Sequence, residues 1–176
     1  MKKLIFLLFI FFISCKSPFM VSEPIFKNSN SCPENGNCTI ELIPNKSISF
    51  KKDKFGIAYP EIIEGGKTIL KYTYKKNPVN NTEDSNYTEL IYAEFDKEIT
   101  EIELINEQLQ NIKLYFGRLC YCKGETGYFP IKNGKLKLTK PSKNTVEINF
   151  DFKIKEVPQI VSKINETFLL KSTQSN

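Results

Sequence analysis

Five cysteines and no histidine set the chemistry open to this chain. Without histidine, neither a Ser-His-Asp nor a Cys-His catalytic arrangement can be built. A His-ligated zinc or copper site is excluded in the same way. Carboxylates, lysines, tyrosines and thiols remain. The thiols are Cys15, Cys32, Cys38, Cys120 and Cys122. Cys15 stands apart from the others, directly behind an apolar leader.

That leader is read first. Lys2 and Lys3 precede an unbroken apolar run, Leu4 to Ile13, and the small residue Ser14 follows. A charged start, a short apolar core and a small residue before the cut describe a secretory signal peptide. The core is too short to span a bilayer, which takes about 20 apolar residues. Phe12-Ile13-Ser14-Cys15 resembles the lipobox of a bacterial lipoprotein, with Phe12 standing where leucine is more usual. The resemblance implies removal of residues 1–14, a diacylglycerol thioether on the Cys15 sulfur and an acylated amino terminus. One fatty chain binds a membrane only marginally, and several on one residue hold firmly. The partner expected through this anchor is the membrane itself. The segment 15–31, with Pro18, Pro24 and several Ser and Asn residues, reads as a lipidated cysteine and flexible tether. Lys16, Ser17 and Pro18 carry no acidic cluster. In some lipoproteins of this kind such a cluster directs surface export, so the expected place is the outer membrane, facing the periplasm.

With Cys15 claimed by lipid, Cys32, Cys38, Cys120 and Cys122 form an even set in an oxidising compartment. Four cysteines allow three pairings, and the sequence does not choose among them. Cys120 and Cys122 share a face if both lie on a strand, together with Ile112, Leu114 and Phe116. Their sulfurs would then look toward the core, and two bridges to Cys32 and Cys38 would staple the first loop to a central strand. Local Cys32–Cys38 and Cys120–Cys122 bridges are the alternative, and a bridge between residues i and i+2 is expected to reduce easily. Compartment and count favour structural bridges over thiol–disulfide exchange at Cys120 and Cys122. They favour them also over soft-metal binding by the four thiolates, so no metal and no cofactor is expected.

Other candidates are weaker. Glu101 with Glu103, and Glu94 with Asp96, could serve as acid and base on a shared strand face, though solvated alternation already explains them. Arg118, the one arginine, could make a bidentate carboxylate contact. Eight tyrosines could present rings to sugars or peptides, or simply pack in strands. An envelope protein or a glycan is therefore the partner to consider. The formal charge of +5 falls when Lys2 and Lys3 leave, and both signs are interspersed. That gives no basic stripe for nucleic acid.

The elements that must position these residues are mostly strands. Thr39 to Ile43, Ser47 to Lys51, Thr68 to Lys75, Tyr87 to Phe95, Thr100 to Leu104, Ile112 to Cys122, Gly127 to Ile131, Lys135 to Thr139 and Thr145 to Ile154 all have the composition or alternation of strands. Asn77 to Asn86 is a polar loop and Asn106 to Gln110 a polar turn. A helix over Ile99 to Phe116, which would make the class α+β, is the less favoured reading. Asn133-Gly134 signals a tight hairpin turn. Val157 to Leu170 reads as a short helix or a last strand. The expectation is one all-β domain over 32–176, a disulfide-stapled antiparallel sandwich or small barrel. Cys32-Pro33-Glu34-Asn35-Gly36-Asn37-Cys38 and Phe116-Gly117-Arg118-Leu119-Cys120-Tyr121-Cys122 resemble the small lipoproteins of Bacteroidetes-type envelopes, a resemblance that implies no particular activity. Binding or scaffolding without catalysis is the expected function.

Overall fold

The computed structural model of the chain describes residues 19–82 and 84–170. The leader 1–14, Cys15 and residues 16–18 lie outside the described residues. Twelve strands follow in order: β1 (Phe19–Met20), β2 (Ile25–Asn28), β3 (Gly36–Lys52), β4 (Ala58–Lys76), β5 (Tyr87–Asp96), β6 (Glu98–Ile99), β7 (Ile102–Ile105), β8 (Lys113–Cys120), β9 (Gly127–Pro130), β10 (Asn133–Ser142), β11 (Thr145–Lys153) and β12 (Lys163–Leu169). A 3-10 turn, Asn106–Asn111, separates β7 from β8. The strands form a six-stranded sheet in the order β2-β3-β4-β5-β8-β9 and a four-stranded sheet in the order β12-β11-β10-β7, with β1 paired to β6. Every pairing is antiparallel. The architecture is an all-β sandwich and not a closed barrel. Among the described residues no helix is long and apolar enough to cross a membrane.

Alternation builds the core. Val146, Ile148, Phe150, Phe152 and Ile154 all point inward and are buried, while Asn149, Asp151 and Lys153 are exposed. Leu70, Tyr72 and Tyr74 of β4 and Ile91, Ala93 and Phe95 of β5 meet them from the other sheet. The sandwich is sealed along one side where its two edges abut. Lys27 of β2 donates to the Thr167 carbonyl of β12 at 2.9 Å, and the Asn165 amide donates to Ser31 Oγ at 3.1 Å. On the other side the 3-10 turn inserts Leu109, fully buried, and Gln110 Nε2 donates to the Ile131 carbonyl at 2.9 Å. The favoured strand–turn–strand reading of 100–122 holds here, with β8 ending at Cys120 and Cys122 in the turn beyond it.

Three expectations are corrected. The fold already includes Phe19 and does not wait for Cys32. Phe19 and Val21 are buried in the main core, and β2 pairs with β3 from Ile25↔Leu42 to Asn28↔Thr39. Pro24 therefore punctuates a short edge segment between β1 and β2 and does not mark a free tether. Second, Asn133-Gly134 is no hairpin turn. Both residues pair with β11, as Asn133↔Lys153 and Gly134↔Phe152, while Ile131-Lys132 carries the chain from one sheet to the other. Gly134 has φ of 149°, and a Cβ there would meet the Asp151 carbonyl oxygen at 2.3 Å. The glycine serves a close backbone approach.

Third, the strands expected separately over Thr39 to Ile43 and Ser47 to Lys51 are one strand, β3, which runs through Pro44-Asn45. Pro44 lies beyond the last β2 pair, on an open edge where its missing N–H is tolerated. Asn45, at φ 57°, makes a bulge, and Gly65-Gly66 supply the extra residues opposite. From this bulge the β3–β4 hairpin continues as an arm that bends over the outer face of the six-stranded sheet. Glu94 accepts from the Ile48 amide at 2.6 Å, and Lys113 donates to the Ile48 carbonyl at 2.8 Å. Phe50 packs on Tyr115 with ring centroids 3.9 Å apart. Ile69 is thereby buried, although it lies on the face opposite Leu70 and Tyr72.

Candidate functional site

One end of the sandwich gathers most of the residues singled out above. In register across the six-stranded sheet lie Cys38, Tyr74, Glu89, Arg118 and Gly127. Along β4, Lys67 pairs with Asp96 at one end and Lys75 with Thr88 at the other. Eight residues at about 3.4 Å each separate these rows by about 27 Å. Phe19, paired with Ile99, belongs to the Asp96 end. The four bridged cysteines lie at the far one.

The disulfides there are local: Cys32–Cys38, with Cα atoms 5.5 Å apart, and Cys120–Cys122, at 5.2 Å. The staple between the first loop and a central strand is not formed. The physical reason lies in β8. Its inward positions Leu114 and Phe116 continue to Arg118, so a guanidinium and not a sulfur fills the core position at the strand's end. All four sulfurs are consumed in bridges, so the thiolates that soft-metal binding needs are not free. Among the described residues no three His, Cys, Asp or Glu side chains cluster as a metal ion would require.

Beneath the Cys120–Cys122 turn runs a buried polar chain. Arg118, 7% exposed, donates from Nε to Tyr87 Oη at 3.2 Å, and its Cζ lies 5.3 Å from the centre of the Tyr87 ring. Tyr87 Oη donates to Glu89. Glu89, fully buried, also accepts the backbone amides of Ile160 at 2.6 Å and Val161 at 2.7 Å, both from the loop before β12. Arg118 Nη1 turns the other way, to Glu125 Oε2 at 2.6 Å and the Glu125 carbonyl at 3.1 Å. Thr126 Oγ1 donates to the Arg118 carbonyl at 2.9 Å, and the Glu125 amide to the Cys122 carbonyl at 3.1 Å. Burial, reinforced by the hydrogen bond to Glu89, pushes the Tyr87 phenol up to about 12. Burial works against the Arg118 charge, but Tyr87 and Glu125 outweigh it and hold the guanidinium above its ordinary value.

The chain supports a presented surface. The disulfide closes a turn from which Tyr121 projects, 85% exposed, beside a shallow concavity lined by Cys120, Cys122, Lys123 and Thr126. An aromatic ring with a polar tip, two sulfurs and one cation can contact a peptide or a sugar. Tyr59, on the hairpin arm, is the other exposed tyrosine among the eight. The others pack in or under the sheets.

The remaining candidates are engaged in structure. Glu94 holds the hairpin arm, and Asp96 pairs with Lys67. Glu101 accepts from the Lys140 amide at 2.9 Å, and Glu103 pairs with Lys135 at 2.6 Å. Hydrogen bonding and charge from Lys135 lower the Glu103 carboxyl. Arg118 meets a carboxylate of this chain, through one nitrogen and not bidentately.

Two residues escaped the sequence reading. Glu89 and Glu166 both occupy inward strand positions, in Glu89-x-Ile91-x-Ala93 and Ile164-x-Glu166-x-Phe168. A carboxylate in phase with buried apolar residues was the available signal.

The chain matches no protein-family model, no curated protein and no solved structure.

Proposed function

We propose that this protein is a membrane-anchored envelope lipoprotein whose β-sandwich binds or scaffolds a partner in the envelope and does no catalysis. Cys15 carries the lipid, and the anchor faces the periplasm from the outer membrane. The observation that carries the reading is the polarity of the fold relative to Cys15. The buried Phe19 lies four residues beyond that cysteine. Tyr121 and its disulfide-closed turn stand at the opposite end of the strands. A membrane-held domain of this build turns its presented loop away from the bilayer. The polar groups beneath that loop are occupied in positioning it, which suits a rigid contact surface. An envelope protein or a glycan is the expected partner, met by Tyr121 and Lys123.

Fractionation of a bacterial envelope expressing the full chain tests this. The wild type is expected in the membrane fraction, extracted by detergent but not by salt. C15A, which has no sulfur to take the lipid, is expected in the soluble envelope fraction. A wild type that fractionates like C15A overturns the proposal.

A further inference from the structure

The side of the sandwich where β2 meets β12, next to Phe19, carries an unusual surface. Met20, Phe26 and Leu169 are 54%, 65% and 75% exposed, and they line one open groove with Pro24 and Ile25. Phe26 and Leu169 come from the two main sheets and Met20 from β1, brought together where β2 and β12 abut. Scattered exposed apolar residues need no explanation, but a contiguous group marks a contact surface.

We propose that this groove seats on the surface of the bilayer that holds the Cys15 lipid, so that the domain rests on the membrane through Met20, Phe26 and Leu169. The inference rests on the lipoprotein reading and adds an orientation to it. Its argument is the length of chain between lipid and fold. Residues 15 to 19 span at most about 14 Å when fully extended. Phe19 is buried, and Met20 is the next residue. A lipid at Cys15 therefore keeps Met20 within reach of the headgroups however residues 15–18 are arranged. Phe and Leu side chains on an anchored surface bury at the boundary between headgroups and acyl chains, about 5–10 Å deep. A partner protein at this groove would have to displace the membrane from beside its own anchor. Seating there also keeps the Cys120–Cys122 turn, at the end of a strand four positions across the sheet from β2, away from the bilayer.

The chain has no tryptophan, so a single introduced indole reports its own surroundings. F26W, L169W and Y121W are expressed as full-length chains in a bacterial envelope and purified in detergent. They are then reconstituted into phosphatidylethanolamine–phosphatidylglycerol vesicles with and without brominated acyl chains. The mass of each variant reports the lipid on Cys15. Brominated chains are expected to quench F26W and L169W emission about twofold or more, because bromine near the headgroup boundary reaches an indole seated there. Y121W emission is expected to stay unchanged. Lipidated, vesicle-bound F26W and L169W that are quenched no more than Y121W overturn the seating and leave the anchor standing. Blue-shifted F26W emission that is indifferent to bromine assigns the groove to a protein partner instead, and overturns it too. A chain without lipid on Cys15 removes both the anchor and the seating.

Discussion

Glu89 and Glu166 are mirror solutions to one problem. Glu89 stands in the six-stranded sheet and holds the 160–161 backbone of the opposite layer. Glu166 stands in the four-stranded sheet and holds the segment that follows β2. It accepts from Lys27 Nζ, Ser29 Oγ and the Asn30 amide, the last at 3.0 Å. Both carboxylates are buried. They differ in what offsets their desolvation. Glu166 touches an ammonium that water can still reach, since the Lys27 side chain is 27% exposed. Glu89 has two amides and a phenol, and its nearest cation, Arg118, acts through that phenol. The comparison shows that the layers are clamped twice by charge-assisted bonds to backbone. One clamp borders solvent, and the other is sealed beneath the presented turn.

The largest expected effect is at the sealed clamp. Glu89→Ala strands two buried amides and a phenol, and should cost about 4 kcal/mol in urea unfolding. Glu166→Ala should cost less, about 2 kcal/mol, because water can replace the carboxylate at Lys27. Equal losses would show that exposure of the cation does not distinguish the clamps.

Acid sharpens the same contrast. Burial would raise the Glu166 carboxyl, but hydrogen bonds from Lys27 and Ser29, the Lys27 charge and the Asn30 amide win and lower it. A carboxyl depressed in the fold contributes stability above its unfolded value of about 4.3, lost as pH falls through the folded one. Glu166→Gln should therefore flatten the decline in stability below about pH 4. Alkali probes the other clamp. A phenol raised from 10.0 to about 12 stabilises the fold below pH 10 and ceases to as pH climbs toward 12. Tyr87→Phe should weaken that alkaline decline without abolishing it, since burial raises Tyr72 and Tyr92 to about 12 as well.

Loss of the Cys120–Cys122 bridge should matter least. Loop entropy gives a bridge closing six residues about 2 kcal/mol and one closing two about 1 kcal/mol. Cys32→Ser with Cys38→Ser should therefore destabilise less than Glu89→Ala, and Cys120→Ser with Cys122→Ser least of all.

Sequence patterns expressed the core well and the edges poorly. Val146 to Ile154 alternates because one face is buried along its whole length, and that signal survives without tertiary knowledge. Leu70, Tyr72 and Tyr74 were legible for the same reason. The Ala58–Lys67 half of β4 was not, because its partner is the arm of β3 and its burial depends on where the bulge at Asn45 sends that arm. β1 and β2 are short edges, and Pro24 between them has the look of linker. Asn133-Gly134 has the composition of a turn, yet its glycine answers to the backbone of Asp151 and Phe152 across a different pairing. The buried row of β8 ends one pleat before Cys120: Arg118 closes it, and the chain turns before Cys122. Glu89 and Glu166 were visible as carboxylates in apolar phase. Their meaning depended on loops about 70 and 136 residues away in sequence.

The most direct test of the account is non-reducing peptide mass mapping of the full chain isolated from a bacterial envelope. Lipid is expected on Cys15, one bridge within the Cys32–Cys38 peptide and one within the Cys120–Cys122 peptide. An unmodified Cys15, or a bridge joining the 32–38 segment to the 120–122 segment, would contradict it.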